Sequence, residues 1–446
     1  MDVYLPDEMD MKIAGTETSA SSPADRLYNP AQSSNKLGVA IDIGTTSVVA
    51  HLTDLKSGIR IATASGVNAQ RQYGADVISR IQYCAENGHE RLTQVIREQI
   101  DSLIKHACTI SGERARDIVY ISIAANTIMQ HLVAGYSPVG MGVAPFEPES
   151  FFGDEHPAWE GLSCARNAKI YYSPAISAYV GGDITAGMLA AELESTAGPA
   201  IYLDIGTNGE IAMKKGDIYY CCATAAGPAF EGAEITMGMA AISGAISHVK
   251  WEDGLKVSVI GDKAPAGLCG SGLLDSLAML LETGAVDESG RLLDAGEIDH
   301  GISEHIGQVE GNNVFWLSKD GDGVYMSAGD IRKLQLAKSA IAAGIQTLLE
   351  YAKISEDEVI SFVLAGGFGS FMDHVSAARI GLFPKSFLPV AQTMGNTAGE
   401  GAAIALCSSE ARETLEDMRR RCEYIELSTS QVFNDQFIEH ILFPDP

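Results

Sequence analysis

Two aspartates occupy the same place in two closely matching phrases, IDIGTT at residues 41–46 and LDIGTN at residues 203–208. Asp42 and Asp204 each close an apolar, strand-like run, LGVAIDIG from Leu37 and AIYLDIG from Ala200. Glycine after the acid lets the backbone come close to a phosphate. The amides and hydroxyls of Gly44, Thr45, Thr46 and Ser47, and of Gly206, Thr207, Asn208 and Gly209, can then bind phosphoryl oxygens. Asp42 and Asp204 can hold Mg²⁺, directly or through water. One such turn alone is an ordinary Asp-Gly hairpin. Its recurrence a domain's length later carries the argument, because two facing turns can clamp one nucleotide between two lobes.

A third constellation is LAGGFGS, Leu364 to Ser370. Gly366, Gly367 and Gly369 follow an apolar strand, and a backbone without Cβ atoms can lie flat against a purine or ribose. The G-G-x-G spacing is not that of a dinucleotide fingerprint, and a tight strand-to-helix turn reads the same way. Asp183, in GGDITAGMLAAELES, stands near the start of a glycine-opened helix, where a carboxylate also interacts with the helix dipole. The histidines offer no metal pattern: His51 and His248 lack partners at ligand spacing, and His131 reads as a structural helix residue. The eight cysteines are scattered, with no C-x-x-C pair and no iron–sulfur spacing. Cys221 and Cys222 alternate across a strand, so both cannot ligate one ion without distortion.

These groups need rigid supports. LGVAIDIG and SVVAHLTDL read as an apolar hairpin, and IRIATASGVN as a further strand. Residues 90–110 carry apolar positions at helical spacing. DIVYISIAAN reads as a buried strand running into a helix capped by Asn126. The second half repeats the theme: a meander of strands from Ala200, a Gly-rich turn into a helix at GLCGSGLLD, a long helix over 328–352, and a closing helix at NTAGEGAAIALCSS. This is α/β alternation in two lobes, with 37–200 as the first and 201–446 as the second with a return helix and tail. Residues 1–36, rich in Ser, Ala, Thr and Pro, read as a linker or flexible tail.

Against 31 Lys and Arg stand 58 Asp and Glu, a net charge of −27. Such a surface repels nucleic acid and anionic membranes, so neither is expected as a partner. No apolar run reaches bilayer-spanning length, and the opening MDVYLPDEMDMK lacks the features of a signal peptide. A cytoplasmic protein is the expectation. A nucleotide site must overcome the acidic field with backbone amides and a metal ion.

In order, IDIGTTS, GGDITAGMLAAEL, LDIGTNGE, LAGGFGS and NTAGEGAAIAL resemble the phosphate turns, connecting helices and adenosine turn of the actin/sugar-kinase/heat-shock-chaperone ATPase superfamily. The resemblance implies a two-lobed actin-like ATPase of duplicated ribonuclease H-like domains with a central nucleotide cleft. SIAANTIMQHLVAG, APFEP, CCATAAGPAFEGAEI, GLCGSGLLD and QLAKSAIAAGI narrow it. From about residue 37 to 446 the chain resembles the ATPase portion of the reductive activators of corrinoid proteins, which use ATP to drive Co(II) corrinoid to Co(I).

By that resemblance, Asp42 and Asp204 organise Mg²⁺, while Thr45, Thr46, Thr207 and Asn208 contact phosphates of ATP. Asp183 falls where the superfamily positions the attacking water. Gln335, Lys338 and Ser339 match a helix that contacts adenosine, although their i, i+3 spacing also describes a solvated face. The segment from Cys221 to Glu231 is expected at the cleft rim, with Thr224 and the cysteines near a partner's cofactor. The implied partners are a corrinoid protein and a second copy of the chain, as a homodimer. Family members commonly carry a ferredoxin-type iron–sulfur domain, and this chain shows no iron–sulfur cluster spacing. Its electrons are therefore expected from a separate donor, a ferredoxin or an iron–sulfur domain outside this sequence; the opening DVYLP resembles the end of the family's linker. A small-molecule kinase of the same fold and a nucleotide-binding scaffold are the alternatives.

Overall fold

The computed structural model describes residues 36–319, 323–369 and 372–444. The expected linker, residues 1–36, lies outside them except for Lys36. Leu37–Ile43 form β1, buried along its length except at Asp42, as befits a strand covered on both faces. β2 (Ser47–Asp54) and β3 (Arg60–Val67) continue the meander. Helices α1 (Val77–Asn87) and α2 (Glu90–Ser111) follow. Then come β4 (Ile118–Ala125), α3 (Thr127–Ala134), β5 (Glu155–Pro157) and β6 (Lys169–Tyr172). The first sheet has the order β3-β2-β1-β4-β6-β5. β1 pairs antiparallel with β2 and parallel with β4.

Helix α4 (Gly182–Ala190) leads to β7 (Ala200–Ile205), β8 (Gly209–Lys215) and β9 (Ile218–Thr224). Next come β10 (Ala245–Trp251), β11 (Leu255–Val259) and β12 (Gly267–Leu268), which form a small sheet, and α5 (Gly270–Glu282). A second small sheet holds β13 (Ile306–Val309), β14 (Asn312–Ser318) and β15 (Val324–Ser327). The long α6 (Ala328–Ala352) opens with a capping box in which Ser327 and Asp330 exchange side-chain-to-backbone hydrogen bonds. β16 (Ser361–Ala365), β17 (Ala391–Thr393), α7 (Thr397–Cys407), α8 (Ser409–Arg420), β18 (Cys422–Tyr424) and α9 (Gln431–Glu439) follow, among shorter helical turns.

The second large sheet has the order β17-β16-β7-β8-β9-β18. β7 pairs antiparallel with β8 and parallel with β16. This repeats the first sheet: a three-strand meander, its first strand central, then a parallel neighbour. Asp42 and Asp204 are each the penultimate residue of the meander's first strand.

Each sheet has an outer core. Leu92, Ile96, Ile100 and Ile104 of α2 lie at i, i+4 steps and pack on the first sheet. Leu334, Ile341, Ile345 and Leu348 of α6 pack on the second. Between the sheets run α4 and α7, met by small side chains such as Ala40, Ala124, Ala186, Ala398 and Ala402. A Cβ on Gly401 would come within 2.0 Å of the Ala186 carbonyl oxygen. Only glycine lets these two helices approach so closely, and that approach brings the two strand ends to one cleft. Among the described residues no helix is long and apolar enough to cross a membrane.

Candidate functional site

The cleft has a volume of about 420 Å³ and lies where β1, β7 and the start of α4 converge. Asp42, Asp183 and Asp204 all line it. Each is partly open to the cleft, yet surrounded by enough protein to lose most of its bulk water. That loss pushes Asp42 up to about 7, with the Asp204 charge adding and the Asn396 hydrogen bond opposing. Asp183 rises to about 8, again chiefly by burial, then through the charges of Asp204 and Asp42. Asp204 rises to about 6 by burial, moderated by the hydroxyl of Tyr202. Three acids held toward their neutral forms chiefly by burial are poised to take up a divalent cation or to work on a proton at neutral pH.

Local contacts fix these groups. Asn396 Nδ2 donates to Asp42 Oδ2 at 2.9 Å, while its Oδ1 caps α7 by accepting from Gly399 N. Tyr202 Oη lies 3.1 Å from Asp204 Oδ2 and 2.7 Å from Thr397 Oγ1. Asp183 is the second residue of α4 and accepts from the Ile184 amide at 2.9 Å. Asp183 therefore stands both at a helix start and in the cleft.

Gly44, Thr45 and Thr46 line the cleft from the first lobe, and Gly206, Thr207 and Asn208 from the second. Gly44 N donates to Ser47 O at 2.8 Å and Gly206 N to Asn208 O at 2.9 Å, closing a wider first hairpin and a tighter second one. Gly366 and Gly367 lie on the same cleft, next to Asp204. Gly366 has φ of +90°, and a Cβ there would meet Asp204 Oδ1 at 2.5 Å. Ser370 of the same turn lies outside the described residues.

Sequence reasoning missed one carboxylate. Glu210 faces Asp204 in the β7–β8 register and lines the cleft; burial holds its carboxyl well above the usual range, reinforced by Asp183 and Asp204. Counting the register outward from the turn in LDIGTNGE would have found it. Glu231 also lines the cleft and accepts from Thr207 Oγ1 at 3.4 Å; burial raises its pKa. Cys269, Gly270 and Ser271, where α5 begins, complete that wall. Among the described residues no three His, Cys, Asp or Glu side chains are grouped as a metal site by themselves. Carboxylates that converge without closing a cage suit Mg²⁺, which keeps several waters and shares its shell with phosphates.

The structure places two groups of expected site residues away from the cleft. Gln335 and Lys338 do not line the cleft. They are buried against the C-terminal segment: Gln335 Nε2 donates to Ile441 O at 2.7 Å, and Lys338 Nζ to His440 O at 2.5 Å and Leu442 O at 2.6 Å. Ser339 Oγ also donates to His440 O, at 2.9 Å. Their shared helix face is real, but what meets it is the chain's own tail. Likewise Cys221, Cys222 and Thr224 are buried rather than at the rim. Cys221 Sγ lies 3.2 Å from Cys422 Sγ, inside the second sheet. Of that segment, only Phe230 and Glu231 reach the cleft.

Duplicated sheets, a helix pair between them and a cleft lined by two matching aspartate turns define an actin-like protein of the ASKHA class. Residues 37–196 match the family model described as the RACo middle region, and residues 198–446 that of the C-terminal domain of RACo, the ASKHA domain. The chain is 34% identical over 423 residues to the corrinoid activation enzyme RamQ of Eubacterium limosum, covering 92% of this chain and 70% of that protein. It is 23% identical over 443 residues to the Co(II) methylated amine-specific corrinoid protein reductase of Methanosarcina barkeri, covering 90% and 76%. The solved structure of a reductive activator for a corrinoid, iron-sulfur protein superimposes with a TM-score of 0.81 at 35% identity, over 93% of this chain and 67% of that one. The chain belongs to the RACo family of reductive activators of corrinoid proteins.

Proposed function

We propose that the protein is an ATP-dependent reductive activator of a corrinoid protein, driving Co(II) to Co(I) with an electron from a separate donor. The observation that carries this reading is the pair of matching aspartate turns facing one cleft, in a chain whose relatives are named for corrinoid activation. Thr45 and Thr46 on one side and Thr207 and Asn208 on the other hold the phosphates of ATP. Gly366 and Gly367 lie against the nucleoside. Asp42 and Asp204 hold Mg²⁺, which neutralises charge developing on the phosphates. Asp183 orients water toward the γ-phosphate. Glu210 and Glu231, whose carboxyls burial holds toward the neutral form, line the same cleft.

Hydrolysis is then coupled to reduction through lobe closure. The nucleotide states must differ in their affinity for the Co(II) partner, since a ligand shifts an equilibrium only by its differential affinity. The reading also carries a cytoplasmic homodimer, with a ferredoxin or a separate iron–sulfur domain as donor. The test is ATP hydrolysis with Mg²⁺, with and without a Co(II) corrinoid protein, alongside the Co(I) absorption spectrum under a reducing donor. Stimulation of hydrolysis and ATP-dependent Co(I) are expected. A phosphorylated small molecule instead would make the protein a kinase. Tight ATP binding with neither product would leave a nucleotide-binding scaffold.

A further inference from the structure

The first phosphate turn is held from behind. Gly44 O accepts from Asn68 Nδ2 at 2.8 Å, Thr45 O from Arg80 Nη2 at 2.6 Å, and Thr46 O from the Asn68 amide at 2.9 Å. Asn68 and Arg80 are both buried, and neither lines the cleft. A peptide unit is planar and trans, so its C=O and the next residue's N–H point in opposite directions. Holding the carbonyls of Gly44 and Thr45 therefore aims the N–H groups of Thr45 and Thr46 the other way, and both residues line the cleft. Neither N–H has an acceptor among the described residues. Asn126 Nδ2 adds a 3.2 Å bond to Thr45 Oγ1, fixing the hydroxyl as well.

Arg80 is the unusual member of this brace. It is fully buried, a costly place for a charge. Its guanidinium donates to the carbonyls of Gly74 and Thr45, the Gln70 amide oxygen and the Met129 sulfur, and to no carboxylate. Burial lowers its pKa only to about 10, so it is charged at neutral pH. The Asp76 charge offsets part of that burial, and an anion just beyond the Thr45 peptide would offset more.

We propose that Arg80 is a positioning residue for the nucleotide's polyphosphate, aiming the Thr46 amide and placing a fixed positive charge behind a turn otherwise faced by carboxylates. This rests on the nucleotide reading above. The test compares Arg80→Met and Arg80→Lys with the unaltered full chain, measuring affinity for MgATP and for adenosine together with the KM and kcat of hydrolysis. Arg80→Met is expected to weaken MgATP binding at least tenfold, about 1.4 kcal/mol, and to leave adenosine binding unchanged. KM should rise more than kcat falls. Arg80→Lys keeps the charge but not the planar fork, and should recover part of the loss. An ATP-to-adenosine affinity ratio unchanged in the folded variants overturns the proposal while the nucleotide reading stands. If Arg80→Met does not fold, the same ratio in Arg80→Lys decides. If the unaltered chain binds no ATP, both readings fall together.

Discussion

Asp183 is the residue on which chemistry and stability pull hardest in opposite directions. Its carboxyl titrates near 8 in the folded protein against an ordinary 3.8, because burial and the neighbouring Asp204 and Asp42 charges disfavour its ionised form. Between those two values the folded state holds more protons than the unfolded chain, so its stability falls as pH rises through that window. Asp183→Asn removes the penalty. The variant should melt higher than the unaltered protein, with a gap that is small at pH 5 and widest near pH 8, read by thermal unfolding across pH. The same change should lower ATP hydrolysis by about 10²-fold or more while ATP still binds, as expected for loss of a group that orients or deprotonates water. At this scale the sequence was informative wherever a short phrase carried the chemistry. Asp42, Asp183 and Asp204 each sit beside glycines in a recognisable turn or helix start, and all three reach the cleft. Glu210 escaped because its meaning depends on a partner strand.

The helices show where local reading stops. The bounds of α6 were legible from its periodicity, as was the α3 cap at Asn126, whose side chain accepts from Met129 N. What α6 touches was not legible, since helical spacing names a face and not its neighbour. Lys338, Gln335 and Ser339 take the carbonyls that follow α9, so α6 serves as the C-terminal cap of a helix distant in sequence. Lys338→Met keeps the side-chain length and removes the donors. It should destabilise the protein by about 2 kcal/mol and speed amide exchange across residues 431–443. MgATP affinity should stay unchanged, and a marked loss of it would return Lys338 to the nucleotide site. The cysteines follow the same logic: strand alternation separated Cys221 from Cys222 correctly, but only the fold reveals that Cys221 faces Cys422.

Across the whole molecule, two sheets of like topology meet through α4 and α7, and the close contact of Gly401 with Ala186 sets how near the lobes can come. The duplication was readable because it is written twice, in IDIGTT and LDIGTN. The two small sheets were not, because short strands between loops carry little periodicity. One property belongs to the assembled cleft and to no single part of it. Asp42 near 7, Asp204 near 6 and Asp183 near 8 keep the empty site partly protonated at pH 7. On the proposed MgATP reading, a divalent cation would stabilise the ionised carboxylates, and its binding is expected to release protons, on the order of one at neutral pH. Calorimetric titrations in buffers of different ionisation heat should register that release, and identical heats in all buffers would contradict it. Acidification would then loosen the grip on nucleotide before it unfolds the chain, making the cleft a gauge of surrounding acidity as well as a binding site.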